Sequence, residues 1–173
     1  MHDFIEYENI RSLYGHERFS DAIDDGGTSR HVDRPHHLRR TLEMPMTQDA
    51  RGSFTVDIRP LLPAPADGIQ RLSINKTIEG DLNGTTRGEM YTGGDPKKGM
   101  AGYVAIEVFQ GTLAGKSGSF ALQHFATMDA DGPHMQVIVV PGSGSGDLAG
   151  ISGTLKIKIE AGRHDYELSY SLP

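Results

Sequence analysis

From Ser53 onward, hydrophobic and polar positions alternate in short runs instead of recurring at helical spacing. The first run, 53–57, has period two, with Phe54 and Val56 on one side of an extended chain. Pro60, Pro63 and Pro65 then interrupt with a stretch that suits neither a helix nor a central strand. Runs at 71–78, 87–91, 103–109, 119–125, 135–140, 151–160 and 165–172 follow, β-branched or aromatic and divided by glycine-rich turns. Eight strands without a helical period predict an all-β fold. We expect an eight-stranded antiparallel up-and-down barrel, closed so that no edge is left over.

The pattern changes near Met46. Of the 22 glycines only Gly15, Gly26 and Gly27 precede it, whereas five of the eight histidines do. Residues 1–46 are therefore expected to be a poorly structured extension, and 47–173 the barrel domain. Within the extension, Ile10, Leu13 and Tyr14 share helical spacing and suggest one short amphipathic helix between Ile5 and Phe19. His31, His36 and His37 lack a rigid frame and are read as solvated coil in preference to metal ligands. Asp3, Glu6 and Glu8 occupy the start, no apolar run follows, and nine acidic residues argue against a transit peptide. The expectation is a cytoplasmic protein, with Met44 or Met46 as alternative starts.

Composition removes several classes of function. The 173 residues include no cysteine, so a disulfide framework, a thiolate metal site and a cysteine nucleophile are excluded. A formal charge of -6 leaves no basic footprint for nucleic acid or anionic lipid. No apolar run approaches the length of a membrane span. No cofactor-binding motif is present, and none is expected.

The turns carry an internal repeat. Gly80-Asp81-Leu82-Asn83-Gly84 recurs as Gly111-Thr112-Leu113-Ala114-Gly115 and as Gly146-Asp147-Leu148-Ala149-Gly150, at spacings of 31 and 35 residues. That interval is two strands with their connections, so the three turns should meet at one end of the meander. Glycine supplies the positive φ of tight turns, and the central leucine can fold inward to plug that end. A phosphate-binding loop is the competing reading. It lacks both a Gly-Lys-Ser/Thr ending and a following helix.

Two of these segments resemble a known family. The run Val139-Val140-Pro141-Gly142-Ser143-Gly144-Ser145-Gly146-Asp147-Leu148-Ala149-Gly150-Ile151-Ser152-Gly153 is similar to the closing hairpin of the bacterial domain-of-unknown-function family 3224. So is Gly111-Thr112-Leu113-Ala114-Gly115-Lys116-Ser117-Gly118-Ser119-Phe120-Ala121-Leu122-Gln123-His124, and Gly88-Glu89-Met90 and Glu107 fit the same pattern. The resemblance covers about 51–172. It implies a barrel like those of allene oxide cyclases and dirigent proteins, of calycin type, often associating as small oligomers. It implies no activity.

Candidate chemistry centres on Glu107, within the apolar run Tyr103-Val104-Ala105-Ile106-Glu107-Val108-Phe109. An inward carboxylate there is costly. Pairing Thr112 with Ser117 sets Ala105 opposite His124 and Glu107 opposite Leu122, so Glu107 and His124 become diagonal neighbours on one face. A slip of one residue would substitute Gln123. Tyr103 shares the parity of Glu107. Glu89 and Tyr91 either add to the same cavity or lie on a solvated face. Glu107 itself has two alternatives: an outer wall, or an inward charge that fixes register. His124 has the alternative of a satisfied strand-end histidine. An inward Glu107 should have a raised pKa unless a partner such as His124 compensates. The other parity, Val104, Ile106 and Val108, is apolar as well and suggests cover by another subunit of a homo-oligomer. Lys97 and Lys98 are assigned to a long mobile connection, serving solubility or guarding a barrel mouth. The serine-bearing turns lack a nucleophile elbow, and His124, His134 and His164 are too scattered to suggest a metal.

Three functions remain. The first is binding of a small, mostly apolar molecule in the barrel, its polar end oriented by Glu107 and its neighbours. The second is a cofactor-free isomerase or cyclase using Glu107 and His124 as acid and base. The third is a structural or interaction domain with its interior filled by large aromatic residues such as Phe109, Phe120 and Tyr91.

Overall fold

A computed structural model of the chain describes residues 46–173. Eight long strands are β1 (Gln48–Pro60), β2 (Ile69–Gly80), β3 (Leu82–Asp95), β4 (Met100–Leu113), β5 (Lys116–Asp129), β6 (Gly132–Val139), β8 (Ser152–Glu160) and β9 (Arg163–Ser171). A two-residue strand, β7 (Ser145–Gly146), pairs with β5 inside the β6–β8 connection. Each long strand is antiparallel to the next, and β1 pairs with β9 to close the barrel. The expected fold is the observed one. The short helix at 5–19 and the histidines 31, 36 and 37 lie outside the described residues.

The strands run longer than the alternation suggested, because glycine and threonine positions at their ends also take part in the ladders. Leu82–Thr86 pairs with β4, and Gln48–Gly52 with β9. The connection holding Lys97 and Lys98 is a correction to its expected length. β3 continues to Asp95, and a single 3₁₀ turn, Pro96–Lys98, leads into β4. Asp95 caps that turn by accepting from the Lys97 N–H at 3.0 Å, and Gly99 closes it with φ 70°.

The two ends of the barrel differ. At one end lie the three repeated turns. Their leucines, Leu82, Leu113 and Leu148, are fully buried and plug it. In two copies the aspartate before the leucine ties the turn to a neighbouring strand. The Asp81 carboxylate accepts the Arg51 N–H at 2.8 Å, and the Asp147 carboxylate the Ser117 N–H at 3.2 Å. The β4–β5 turn needs positive φ at both central residues, Ala114 (48°) and Gly115 (82°), as a two-residue hairpin demands.

At the opposite end lie the β1–β2, β3–β4, β5–β6 and β8–β9 connections. There the wall loosens. β1 pairs with β9 only as far as Phe54–His164, although β1 continues to Pro60. β6 and β8 meet through one pair, Ile138–Thr154. The inward side chains at this rim, Ile58, Met128, Met135, Ile157 and Ile159, are apolar and half-buried.

Candidate functional site

The interior holds two apolar clusters, and four adjacent strands each place one polar residue between them. Along β2 the order is Ile78, Lys76, Leu72; along β3 it is Leu82, Thr86, Met90. On β4 it is Phe109, Glu107, Ala105, and on β5 Leu122, His124, Ala126. Period-two alternation sends all of these inward. The first member of each set belongs to the plugged half and the last to the open half.

Three of these polar groups converge on the fourth, the Glu107 carboxylate. The β4–β5 register is the expected one: Thr112 pairs with Ser117, Ala105 with His124, and Glu107 with Leu122. Glu107 is fully buried, and its Oε1 accepts from Lys76 Nζ and, at 2.8 Å, from His124 Nε2. The other oxygen accepts from the Thr86 hydroxyl at 2.6 Å. Gly88, the register partner of Glu107 on β3, keeps the path across the sheet clear. A Cβ there would lie 2.1 Å from the Ile106 carbonyl oxygen and 2.7 Å from Glu107 Cβ. Lys76 is itself buried, with Nζ 5.0 Å from the centre of the Phe54 ring, an added cation–π contact.

Electrostatics follow from this packing. Burial alone would push the Glu107 carboxyl up, but the Lys76 charge and the His124 hydrogen bond outweigh it and hold the group at about 2. Burial and the nearby Lys76 charge push His124 below its ordinary value, against the pull of Glu107. The imidazole is therefore neutral at neutral pH, beside an ionised carboxylate. The compensating partner that sequence reasoning looked for is chiefly Lys76, which it did not single out. A signal was present: Leu72, Ile74 and Ile78 define an apolar parity that Lys76 shares.

The remaining candidates divide by parity. Tyr103 points inward and is buried in the open half, among Leu72, Met90, Ala105 and Ala126. Glu89 and Tyr91 alternate with inward Met90, so they stand on the outer wall and add nothing to the interior. Glu89 is bound there by Arg71 at 2.7 and 2.8 Å and by the Tyr91 hydroxyl at 3.2 Å. Gln123 is exposed, since no register slip occurs. His164 is buried at the open end, stacked 5.0 Å from Phe54. A groove of about 510 Å³, lined by Phe54, Val56, His164 and the 161–163 turn, opens where β1 leaves β9. Among the described residues no three His, Cys, Asp or Glu side chains are grouped to hold a metal ion, and no helix is long and apolar enough to cross a membrane.

The chain is similar to a crystallised protein of unknown function from Shewanella oneidensis MR-1, itself of the DUF3224 family. The two are 39% identical over 74% of this chain and 99% of the other, with a TM-score of 0.67. No curated protein matches. The sequence profile of the family described as "Protein of unknown function (DUF3224)" matches residues 50–170, and with its eight-stranded barrel the chain belongs to that family.

Proposed function

We propose that the protein binds a small, mostly apolar molecule in the open half of its barrel, between the polar layer and the rim. The observation that carries this reading is the contrast between the two ends. Three buried leucines seal one. The other presents half-buried apolar side chains on inward positions, where β1 leaves β9 and β6 barely meets β8. Phe109 and Phe120, both fully buried with ring centres 5.1 Å apart, fill the plugged half and confine a ligand to the other. Acid–base catalysis by Glu107 is less well supported. A carboxylate held at about 2 and bonded at both oxygens is a poor proton carrier at neutral pH.

The test is fluorescence of N-phenyl-1-naphthylamine, free of tryptophan background because the chain has none. Wild type should enhance the dye's emission saturably. Ile159→Glu, at the rim, should weaken binding by about tenfold while leaving the melting temperature within a few degrees. Dye affinity untouched by that charge, or no enhancement in wild type, would sink the reading.

A further inference from the structure

The polar layer leaves one buried group without a partner. His124 is fully buried and its Nε2 is engaged by Glu107, but its Nδ1 has no hydrogen-bond partner among the described residues. Buried polar atoms are nearly always paired, so an orphan of this kind points to something that completes it. Its chemistry is fixed by its neighbour. An ionised carboxylate can only accept, so Nε2 must carry the proton. In a neutral ring Nδ1 then keeps its lone pair, and it can accept a hydrogen bond but not give one. The outward directions of the two ring nitrogens diverge by much more than a right angle, so Nδ1 is turned away from Glu107.

His124 stands between the two halves: Leu122 and Val137 beside it belong to the plugged half, Ala105 and Ala126 to the open one. Its register partners are Ala105 on β4 and Val137 on β6, and the next inward residue along β5 is Ala126. These are small side chains, in contrast to Phe109 and Phe120 in the plugged half. Beyond them lie Met90 and Tyr103, and then the apolar rim.

We propose that His124 Nδ1 is the acceptor for the hydroxyl of an amphipathic ligand, an aliphatic or aromatic alcohol whose carbon skeleton lies toward Tyr103, Met135 and Ile157. The assignment rests on the reading that the open half binds apolar molecules, and it adds the class of head group. A carboxylate head is disfavoured, since it would set an anion against a lone pair beside the Glu107 charge. An ether of the same size has no proton to offer.

Displacement of bound N-phenyl-1-naphthylamine separates these cases. The probes are 1-nonanol, its isomer 1-methoxyoctane, and nonanoate. In wild type the alcohol should displace the dye at about 3–10-fold lower concentration than the ether, the contribution of one neutral hydrogen bond, with nonanoate weakest. In His124→Phe the preference for alcohol over ether should vanish while the affinity of the ether stays within about twofold. Should that variant fail to fold, the two-bond ¹H–¹⁵N spectrum of wild-type histidines decides. Nonanol, and not the ether, should shift the unprotonated Nδ1 resonance of His124 toward its hydrogen-bonded position. Equal displacement by alcohol and ether with no such shift would overturn the assignment to His124 and leave the apolar site standing. Failure of both to displace the dye would overturn the apolar site as well.

Discussion

At Lys76 a long cationic side chain interrupts the inward series of Leu72, Ile74 and Ile78, and the buried Glu107 carboxylate neutralises it. Removing one partner of a buried ion pair leaves the other uncompensated, whereas removing both charges can be nearly neutral. Lys76→Met and Glu107→Gln should therefore each cost about 3–5 kcal/mol of unfolding free energy. The double variant, whose Gln can still bond His124 and Thr86, should lose far less than their sum. Additive losses in chemical denaturation would mean that the pair is not coupled. The same cycle has a pH signature. Glu107 sits at about 2 when folded and returns to the ordinary 4.5 when unfolded. Its contribution is thus complete above pH 4.5 and lost as pH falls toward 2, about 3 kcal/mol in all. His124, held below 6.5, resists a proton that the unfolded chain accepts, so stability begins to fall below pH 6.5. The double variant should lack the lower of these two falls. Of this layer, the Glu107–His124 diagonal was legible in the sequence because a two-residue turn fixes the register between their strands. Lys76 was not, because a lysine in a strand ordinarily reads as solvent-facing. Only the apolar parity of its neighbours marks it as inward.

The repeated turns are the elements whose role could be read most directly. Their glycines demanded tight turns, their spacing placed all three at one end, and each leucine had nowhere apolar to go but inward. What spacing could not reveal is the second tie, in which Asp81 and Asp147 bond the backbone of neighbouring strands. The middle copy has Thr112 at that position, so the motif was recognisable only by its glycines and leucine. The opposite rim was not legible in the sequence for a related reason. Ile58, Met135 and Ile157 carry the same alternating pattern as true core residues, and only the loosening of the β1–β9 and β6–β8 pairings leaves them half-buried. The plug makes a sharp prediction. Leu148→Ala should cost about 2–5 kcal/mol, the range for a fully buried leucine, whereas Leu62→Ala in the exposed β1–β2 connection should change stability by less than about 0.5 kcal/mol. Urea denaturation of the two variants side by side provides the measurement. Equal effects would mean that the repeated turns do not seal the barrel.

Across the whole molecule, a barrel should show one apolar face to its interior and a polar one to water, yet one sector of the outer wall departs from this. Tyr91, Val104 and Phe125 form a single cross-strand row on β3, β4 and β5, with Tyr91 paired to Val104 and Val104 to Phe125. Ile106 and Val108 continue that stripe along β4, and all five side chains are exposed. Scattered exposed apolar residues need no explanation, but a contiguous stripe on the barrel wall does. Water is a poor covering for it, and a second copy of the chain is a suitable one. A two-fold contact needs only that the surface complement itself. Here an uncharged centre is flanked by the half-exposed Arg71–Glu89 pair and by Arg87, the polar rim that such interfaces carry. The full chain should accordingly sediment as a dimer or a larger closed oligomer at micromolar concentration. Ile106→Glu, at the centre of the stripe, should shift it to the monomer. Because Ile106 already faces outward, its replacement should leave the melting temperature of the barrel within a few degrees once the loss of association is allowed for. Sedimentation velocity of both proteins decides the matter. A wild type that stays monomeric up to high concentration would show that the stripe does not bring copies of this chain together.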